Sequence, residues 1–197
     1  LVIISVKPQE MRSVAGTLRE DAVLLSIMAG VTITSLKAEF GHDRIVRAMP
    51  NTPAAVKAGM SAWTATEAVS ADQREFTRTL LSAIGRELYV DDEKKIDMVT
   101  AVSGSGPAYV FLFIEAMVEG AVTVGLPRAA AEELVLQTLY GSALYAQESG
   151  RSAADLRAAV TSPAGTTAAG LLELEKGAFR AAVIECVHQP LYFEDVF

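Results

Sequence analysis

The residue types best suited to ligand chemistry lie in LRAAVTSPAGTTAAGLLELEKG, residues 156–177 of this 197-residue sequence. Because proline cannot extend a helix and disfavours helical geometry in the residue before it, a first helix is predicted to stop at Ser162-Pro163. A second helix is predicted to open at Gly165-Thr166-Thr167 and to end at Gly177. Its first N–H groups have no partner inside the helix and lie at the positive end of its dipole. This helix start is therefore a candidate anion site.

From the residues alone, two interpretations of this helix start stay open. Main-chain amides and threonine hydroxyls suit a carboxylate or a phosphate, because an anion gains charge-assisted hydrogen bonds there. The same spacing is typical of a turn with an ordinary threonine cap, and spacing alone favours that simpler arrangement.

Five segments, in order along the chain, resemble the motifs of pyrroline-5-carboxylate reductase, an enzyme that makes proline by reducing a cyclic imine with NAD(P)H. They are SVKPQ (5–9), AGVTITSL (29–36), RAMPNTPAAV (47–56), VSGSGPAYVF (102–111) and TSPAGTTAAGL (161–171). The resemblance implies NAD(P)H-dependent reduction of 1-pyrroline-5-carboxylate to L-proline, the last step of proline biosynthesis. It implies NADPH or NADH as the cofactor and a cyclic imino acid as the substrate.

The resemblance also implies roles for individual residues. A substrate site is implied at Glu93, Ser162, Gly165, Thr166 and Thr167. Thr167 is the implied catalytic residue; since a hydroxyl is a weak acid, we expect it to orient the iminium or to relay a proton from water. The implied cofactor contacts come from three strand ends: Ser5, Val6, Lys7, Pro8, Ile27, Met28, Ala29, Asn51, Thr52 and Pro53.

Simpler explanations exist for three of these residues. Chemistry alone favours a solvated loop position for Lys7, because nothing in its type or spacing requires a ligand. Asn51 is also typical of a turn, and Glu93 is also typical of a solvated charge within DDEKK. Without the resemblance, these alternatives stay open.

The elements that must position these residues alternate between strand and helix over the first half of the chain. Apolar runs predict strands at residues 1–6, 22–28 and 44–48, and helix patterns cover residues 11–18 and 32–40. Short connections between alternating elements predict a parallel α/β sheet, whose ligands lie beyond the carboxyl ends of its strands.

A second group of patterns completes the predicted fold. A strand is predicted at residues 59–65 with Trp63 as a packing residue, Ser70 and Gln73 have the spacing of a capping box, and residues 87–90 predict a last strand. Only helix patterns follow from Ile96 onward. The predicted fold class is α/β then all-α: the latter part of a Rossmann-type parallel sheet followed by a helical dimerisation domain.

This change of character sets the predicted domain boundary. Residues 1–93 are predicted to form a partial dinucleotide-binding domain, and residues 94–197 a helical oligomerisation and substrate domain. The helix predicted at residues 108–124 is apolar nearly all round, so a pair of helices cannot cover it. We therefore expect a homo-oligomer, at least a dimer, assembled through the helical domain.

The glycine-rich turn that usually opens a dinucleotide site is missing from this sequence. Gly104-Ser105-Gly106 leads into Pro107 and is predicted to be the entry to a buried helix. The resemblance places the family's turn upstream of Leu1, so the chain is expected to be a piece of a longer protein. A truncated, inert oligomerisation module and a related imine or hydroxy-acid reductase are the alternative functions.

Composition limits the partners and the compartment. A net charge of -7 and a pI near 4.9 argue against nucleic acid. One cysteine and two distant histidines offer no metal-ligand spacing, which predicts a metal-free cytoplasmic protein. The longest apolar run in the helical half, residues 108–114, is far below the ~20 residues of a membrane span. The closing HQPLYFEDVF departs from the family, whose last helix continues in charged, alanine-rich sequence.

Overall fold

The computed structural model describes residues 1–14 and 16–189, which form two compact units. The first comprises residues 1–107 and 187–189, and the second comprises residues 108–186. The strands are β1 Val2–Ile4, β2 Leu24–Ser26, β3 Ile45–Met49, β4 Gly59–Ala65 and β5 Gly85–Tyr89. The α-helices are α1 Ile33–Phe40, α2 Ala71–Ser82, α3 Lys94–Val99, α4 Gly106–Thr123, α5 Arg128–Glu148, α6 Ala153–Ala159, α7 Thr166–Lys176 and α8 Phe179–His188.

The five strands form one sheet in the order β1-β2-β3-β4-β5. Three of the four pairings are parallel, and β3 pairs with β4 antiparallel. The predicted fold class is confirmed, and the sheet is parallel except at the β3–β4 pair. The reason is the short connection between β3 and β4, which holds only a 3₁₀ helix at Thr52–Val56. A parallel crossover needs a dozen or more residues.

Each face of the sheet carries its own apolar core. On one face Leu24 and Ile45 pack against Leu36 of α1. On the other face Leu25 and Val46 pack with residues that include Trp63 and Leu81. Neighbouring residues of one strand point to opposite faces, so both faces of the sheet are covered. Trp63 is buried, which confirms its predicted packing role.

Local sequence signals set the helix ends in the first unit. The side chain of Thr32 caps α1, and Gly41 ends it with a φ of 58°. The Ser70 Oγ accepts from the Gln73 N–H at 3.3 Å, and the Gln73 Oε1 accepts from the Ser70 N–H at 2.9 Å. The predicted capping box is therefore confirmed.

The helix predicted over residues 11–18 is wrong. A 3₁₀ helix at Pro8–Val14 takes its place, and Ala15 lies outside the described residues. Gly16 lies inside the predicted span and costs about 1 kcal/mol relative to alanine in a helix, which disfavours an α-helix there. Met11 and Leu18 still pack against the first core, as the apolar pattern requires.

The first compact unit extends beyond the predicted domain boundary. Ile96 of α3 is buried against Ala62 and Val90, which attaches α3 to the sheet. A π-helical turn at Thr100–Gly104 follows α3, and the unit continues to Pro107. The division of the chain into domains 1–93 and 94–197 stays a prediction.

The second unit is helical, as predicted. Its small core consists of Val118, Ala131 and Val135, and several large apolar side chains remain exposed. The last helix, predicted at residues 179–187, is found as α8, whereas its predicted end at Pro190 and the closing segment lie outside the described residues.

One helical run is longer than the sequence patterns indicate. By length and hydropathy alone, Lys94–Thr123 meets the criterion for a membrane span, which the core helices of water-soluble proteins also meet.

Candidate functional site

Three strand ends meet at one edge of the sheet. β1, β2 and β3 run parallel and in register, so their carboxyl ends lie side by side. The Ile27 N–H donates to the Ile4 carbonyl at 3.1 Å, which ties the first two of these ends together. The ten predicted cofactor residues follow these three strand ends, in the groups 5–8, 27–29 and 51–53. Their role in binding a cofactor stays a prediction.

Some of these ten residues have side chains that belong to the core. Val6 and Met28 pack in the core that includes α1, and Ile27 packs in the opposite one. The Met28 N–H already donates to the Ser26 Oγ at 3.3 Å. Exposed side chains at this edge are those of Ser5, Lys7, Ala29 and Thr52.

Lys7 offers a positive charge at this edge. Its N–H donates to the Glu10 Oε2 at 3.3 Å, and its carbonyl accepts from the Glu10 N–H at 2.8 Å, so the backbone is fixed at the start of the 3₁₀ helix. Its ammonium group forms no ion pair within the described residues. A solvated lysine and a phosphate contact both fit this geometry.

The Asn51 side chain forms two hydrogen bonds to backbone groups of the protein. Its Nδ2 donates to the Ser103 carbonyl at 3.0 Å, and its Oδ1 accepts from the Met60 N–H at 2.8 Å. The amide therefore joins the β3 end, β4 and the π-helical turn. This goes beyond the simple turn residue that the sequence allowed.

Glu93 is not a freely solvated charge, because two groups of the fold bind its carboxylate. The Oε1 accepts from the Ile33 N–H of α1 at 2.7 Å and from the Arg47 Nη1 at 2.9 Å. The side chain is 28% exposed. The carboxylate of Glu93 therefore stabilises the start of α1. A substrate contact at Glu93 stays a prediction.

Sequence reasoning missed the role of Arg47. Its side chain is 2% exposed and forms ion pairs with both Glu93 and Asp97 of α3. The Nε is buried without a hydrogen-bond partner in the described chain. An arginine within the apolar strand pattern at residues 44–48 was the available signal, since a buried guanidinium requires carboxylates nearby.

The start of α7 in the second unit has the features of an anion site. Gly165 occupies the cap position, and no side chain caps the helix. Within the described residues, the N–H groups of Thr166, Thr167 and Ala168 have no acceptor. Both threonines are exposed, and the first turn contains no acidic residue. An ordinary threonine cap is therefore absent here, and ligand binding at this start stays a prediction.

The turn before α7 is tightly built. Ala164 has a φ of 57°, in the left-handed region that non-glycine residues seldom adopt. A Cβ at position 165 would lie 2.5 Å from the Ser162 Oγ, so Gly165 lets the serine hydroxyl approach the helix start. The four predicted substrate residues of this segment thus lie together.

The chain is similar to known proteins over nearly all of its length. Residues 93–191 match the family model described as pyrroline-5-carboxylate reductase dimerisation. A pyrroline-5-carboxylate reductase of Synechocystis sp. is 45% identical over 95% of this chain and 71% of that protein. The enzyme of the same name from Arabidopsis thaliana is 42% identical over 95% of this chain and 69% of that protein.

Solved structures give the same likeness. The Plasmodium falciparum pyrroline carboxylate reductase with NADP bound superposes with a TM-score of 0.89 at 31% identity, covering 98% of this chain and 79% of that one. The 1-pyrroline-5-carboxylate reductase of Streptococcus pyogenes gives a TM-score of 0.92 at 34% identity, covering 100% of this chain and 76% of that one.

Proposed function

This chain belongs to the pyrroline-5-carboxylate reductase family, and we propose that it reduces 1-pyrroline-5-carboxylate to L-proline, the last step of proline biosynthesis, as an NAD(P)H-dependent oxidoreductase acting on a CH–NH group. The observation that carries the proposal is the 45% identity to a reductase of that name across 95% of the chain. The nucleotide in the Plasmodium falciparum structure supports an NADP-type cofactor.

The carboxyl edge of the sheet fits a dinucleotide. Ligands of parallel α/β sheets lie beyond the carboxyl ends of the strands, and this edge presents exposed small and polar residues there. The Lys7 ammonium suits a phosphate oxygen, and the Ser5 and Thr52 hydroxyls suit phosphate or ribose oxygens. When bound, the nicotinamide supplies the hydride.

The start of α7 suits the carboxylate of the substrate. The free N–H groups of Thr166 and Thr167 and the Ser162 hydroxyl are donors, and no acidic side chain in the first turn competes. A helix dipole contributes roughly 0.3 to 2 kcal/mol to such an anion. Hydrogen bonds from these donors to the substrate carboxylate would fix the substrate ring, so that its imine carbon is held in one orientation.

Thr167 is the residue that we place beside the imine nitrogen. Its hydroxyl is exposed, so it is available to orient the iminium or to relay a proton from water. We expect Thr167→Ala to lower kcat by roughly 100-fold, the low end of the usual range for a proton-transfer group, with the NADPH KM nearly unchanged. Thr138→Ala, in α5, is the matched control. Unchanged kcat in Thr167→Ala would contradict this role.

The chain is a homo-oligomer, because its helical half matches the family's dimerisation region. The apolar run Lys94–Thr123 lies inside that region, so we assign its exposed side chains to subunit contact and not to a bilayer. We also propose a cytoplasmic location. The biosynthetic reaction and the single cysteine, which has no partner for an internal disulfide, support it.

The direct test is NADPH oxidation in the presence of 1-pyrroline-5-carboxylate, followed by absorbance, with L-proline identified as the product. A second imine that lacks the carboxylate is the control substrate. We expect reduction of the carboxylated ring only. NADPH binding without any turnover, or equal turnover of both imines, would refute the proposed substrate.

A further inference from the structure

Three residues spaced by two along β3 and its end all face α3 and the π-helical turn. Arg47 binds the carboxylates of Glu93 and Asp97 at the start of this helical segment. A Cβ on Gly104 would lie 3.0 Å from the Met49 Cε, so the end of the segment passes close over Met49. Asn51 binds the Ser103 carbonyl. The extended backbone thus contacts the helical segment from its start to its end.

The Ser103 carbonyl lacks its usual α-helical donor. In a continuing α-helix it would accept from the N–H of residue 107, four positions later, but Pro107 has no N–H. The backbone forms a π-helical turn here, with the Ser105 N–H bonded to the Thr100 carbonyl at 2.8 Å. The Asn51 Nδ2 supplies the missing donor at 3.0 Å.

Asparagine is well matched to this position. Its amide donates to Ser103 with the nitrogen and accepts from the Met60 N–H with the oxygen, so one planar group serves two backbone partners. An alanine at position 51 would leave both partners without a bond. An aspartate would keep the acceptor for Met60, but its ionised form has no proton to donate to Ser103.

We propose that Asn51 is a positioning residue, whose side chain binds Ser103 and Met60 and so holds the π-helical turn beside the cofactor edge without contacting the dinucleotide. The proposal rests on the proposed function only for the identity of that edge. The two hydrogen bonds themselves belong to the fold and are tested without any cofactor.

The first experiment compares hydrogen exchange in the wild type, Asn51→Ala and Asn51→Asp. We expect exchange of residues 100–106 to be roughly tenfold faster in Asn51→Ala, as loss of a buried hydrogen bond implies, with the Met60 amide also faster. In Asn51→Asp at pH 7.5, the amides of residues 100–106 should exchange faster than in the wild type, whereas the Met60 amide should stay protected. Thr79→Ala, which removes one exposed side-chain bond in α2, is the matched control and should leave both regions unchanged.

A pH series separates this role from a general loss of packing. We expect the carboxyl group that Asn51→Asp introduces to have a pKa at or above the ordinary aspartate value of about 4, because it is partly buried beside the Ser103 carbonyl. Lowering the pH toward this pKa protonates the group and restores an O–H donor for Ser103. In this variant, protection relative to wild type should therefore recover as the pH falls from 7.5 to 4. Asn51→Ala has no titrating group and should show no recovery. Equal exchange in all variants, or equal behaviour of Asn51→Asp and Asn51→Ala at pH 4, would overturn the proposal.

A second experiment needs no variant, because Asn51 is the only asparagine in the chain. Selective ¹⁵N-asparagine labelling gives one side-chain NH₂ pair, in which we expect one proton to exchange slowly and to stay near its position on addition of NADPH. Fast exchange of both protons, or a large NADPH-induced shift of this pair, would overturn the proposal. Slow exchange in a chain that fails to bind NADPH would contradict the proposed function and leave the positioning role standing.

Discussion

Replacing Arg47 with methionine tests whether the buried charge cluster stabilises the first unit. Methionine keeps a long, unbranched side chain and removes the guanidinium, so the Glu93 and Asp97 carboxylates lose their shared cation. Breaking a buried pair by removing one partner costs about 3–5 kcal/mol in the free energy of unfolding. Since the two carboxylates are 28% and 21% exposed and so partly hydrated, we expect a loss of about 3 kcal/mol, at the low end of this range.

Urea unfolding followed by tryptophan fluorescence measures this loss. Trp63 is the single tryptophan and lies in β4, so its emission reports the first unit alone. With a slope of about 2 kcal/mol per molar urea, the midpoint should fall by about 1.5 M at a fixed protein concentration.

Arg19→Met is the matched control for this substitution. Arg19 pairs with Asp21 at 2.6 Å, but both side chains are largely exposed, so no measurable shift is expected. Adding Glu93→Gln and Asp97→Asn to Arg47→Met should restore part of the stability, because neutral amides cost less without a cation. A midpoint in Arg47→Met that moves no more than in Arg19→Met would refute the reasoning, and absence of recovery would assign the loss to packing.

Two further substitutions test the sheet and the assembly. Gly85 has a φ of 146°, and a Cβ there would lie 2.1 Å from the Gly59 carbonyl oxygen, so Gly85→Ala should destabilise the first unit by about 3 kcal/mol or more in the same urea assay. An unchanged midpoint would show that the β4–β5 pairing tolerates a side chain there. Leu112 of α4 is 67% exposed, and Leu112→Glu should reduce the sedimentation mass toward the 20.9 kDa of one chain, whereas Glu115→Gln on the same helix should not. An assembly of unchanged mass would place the subunit contact elsewhere.

The sequence predicted most elements because their signals are local. The Ser70–Gln73 pair was predicted as a capping box from its spacing, and the structure reproduces it. Thr32 and Gly41 bound α1 through contacts that are equally local. The helix predicted over residues 11–18 is wrong: its apolar spacing fits an α-helix, but the backbone forms a 3₁₀ helix at Pro8–Val14. The periodicity of apolar residues indicates which residues face the core, but it does not distinguish an α-helix from a 3₁₀ helix in a short segment.

The candidate site also has features that local sequence predicts and contacts that only the fold creates. The break at Ser162-Pro163 and the helix start at Gly165 were predicted from local features, whereas the sequence left a threonine cap and free amides both open until the structure showed no capping side chain. The partners of Asn51 and Glu93 did not follow, because the Asn51–Ser103 and Glu93–Ile33 bonds join residues 52 and 60 positions apart. No spacing rule connects such distant residues.

By itself, the sequence determined the family, most of the strands and helices in their order, and the place where α7 starts, since each depends on motifs or neighbours along the chain. Only the tertiary structure decided that β4 pairs antiparallel with β3 and that Arg47 forms ion pairs with both Glu93 and Asp97. It also decided that the Asn51 side chain donates to the Ser103 carbonyl, which cannot accept from Pro107. These depend on how distant segments pack, because a buried charge or an unpaired carbonyl takes whichever partner the fold brings within hydrogen-bond distance.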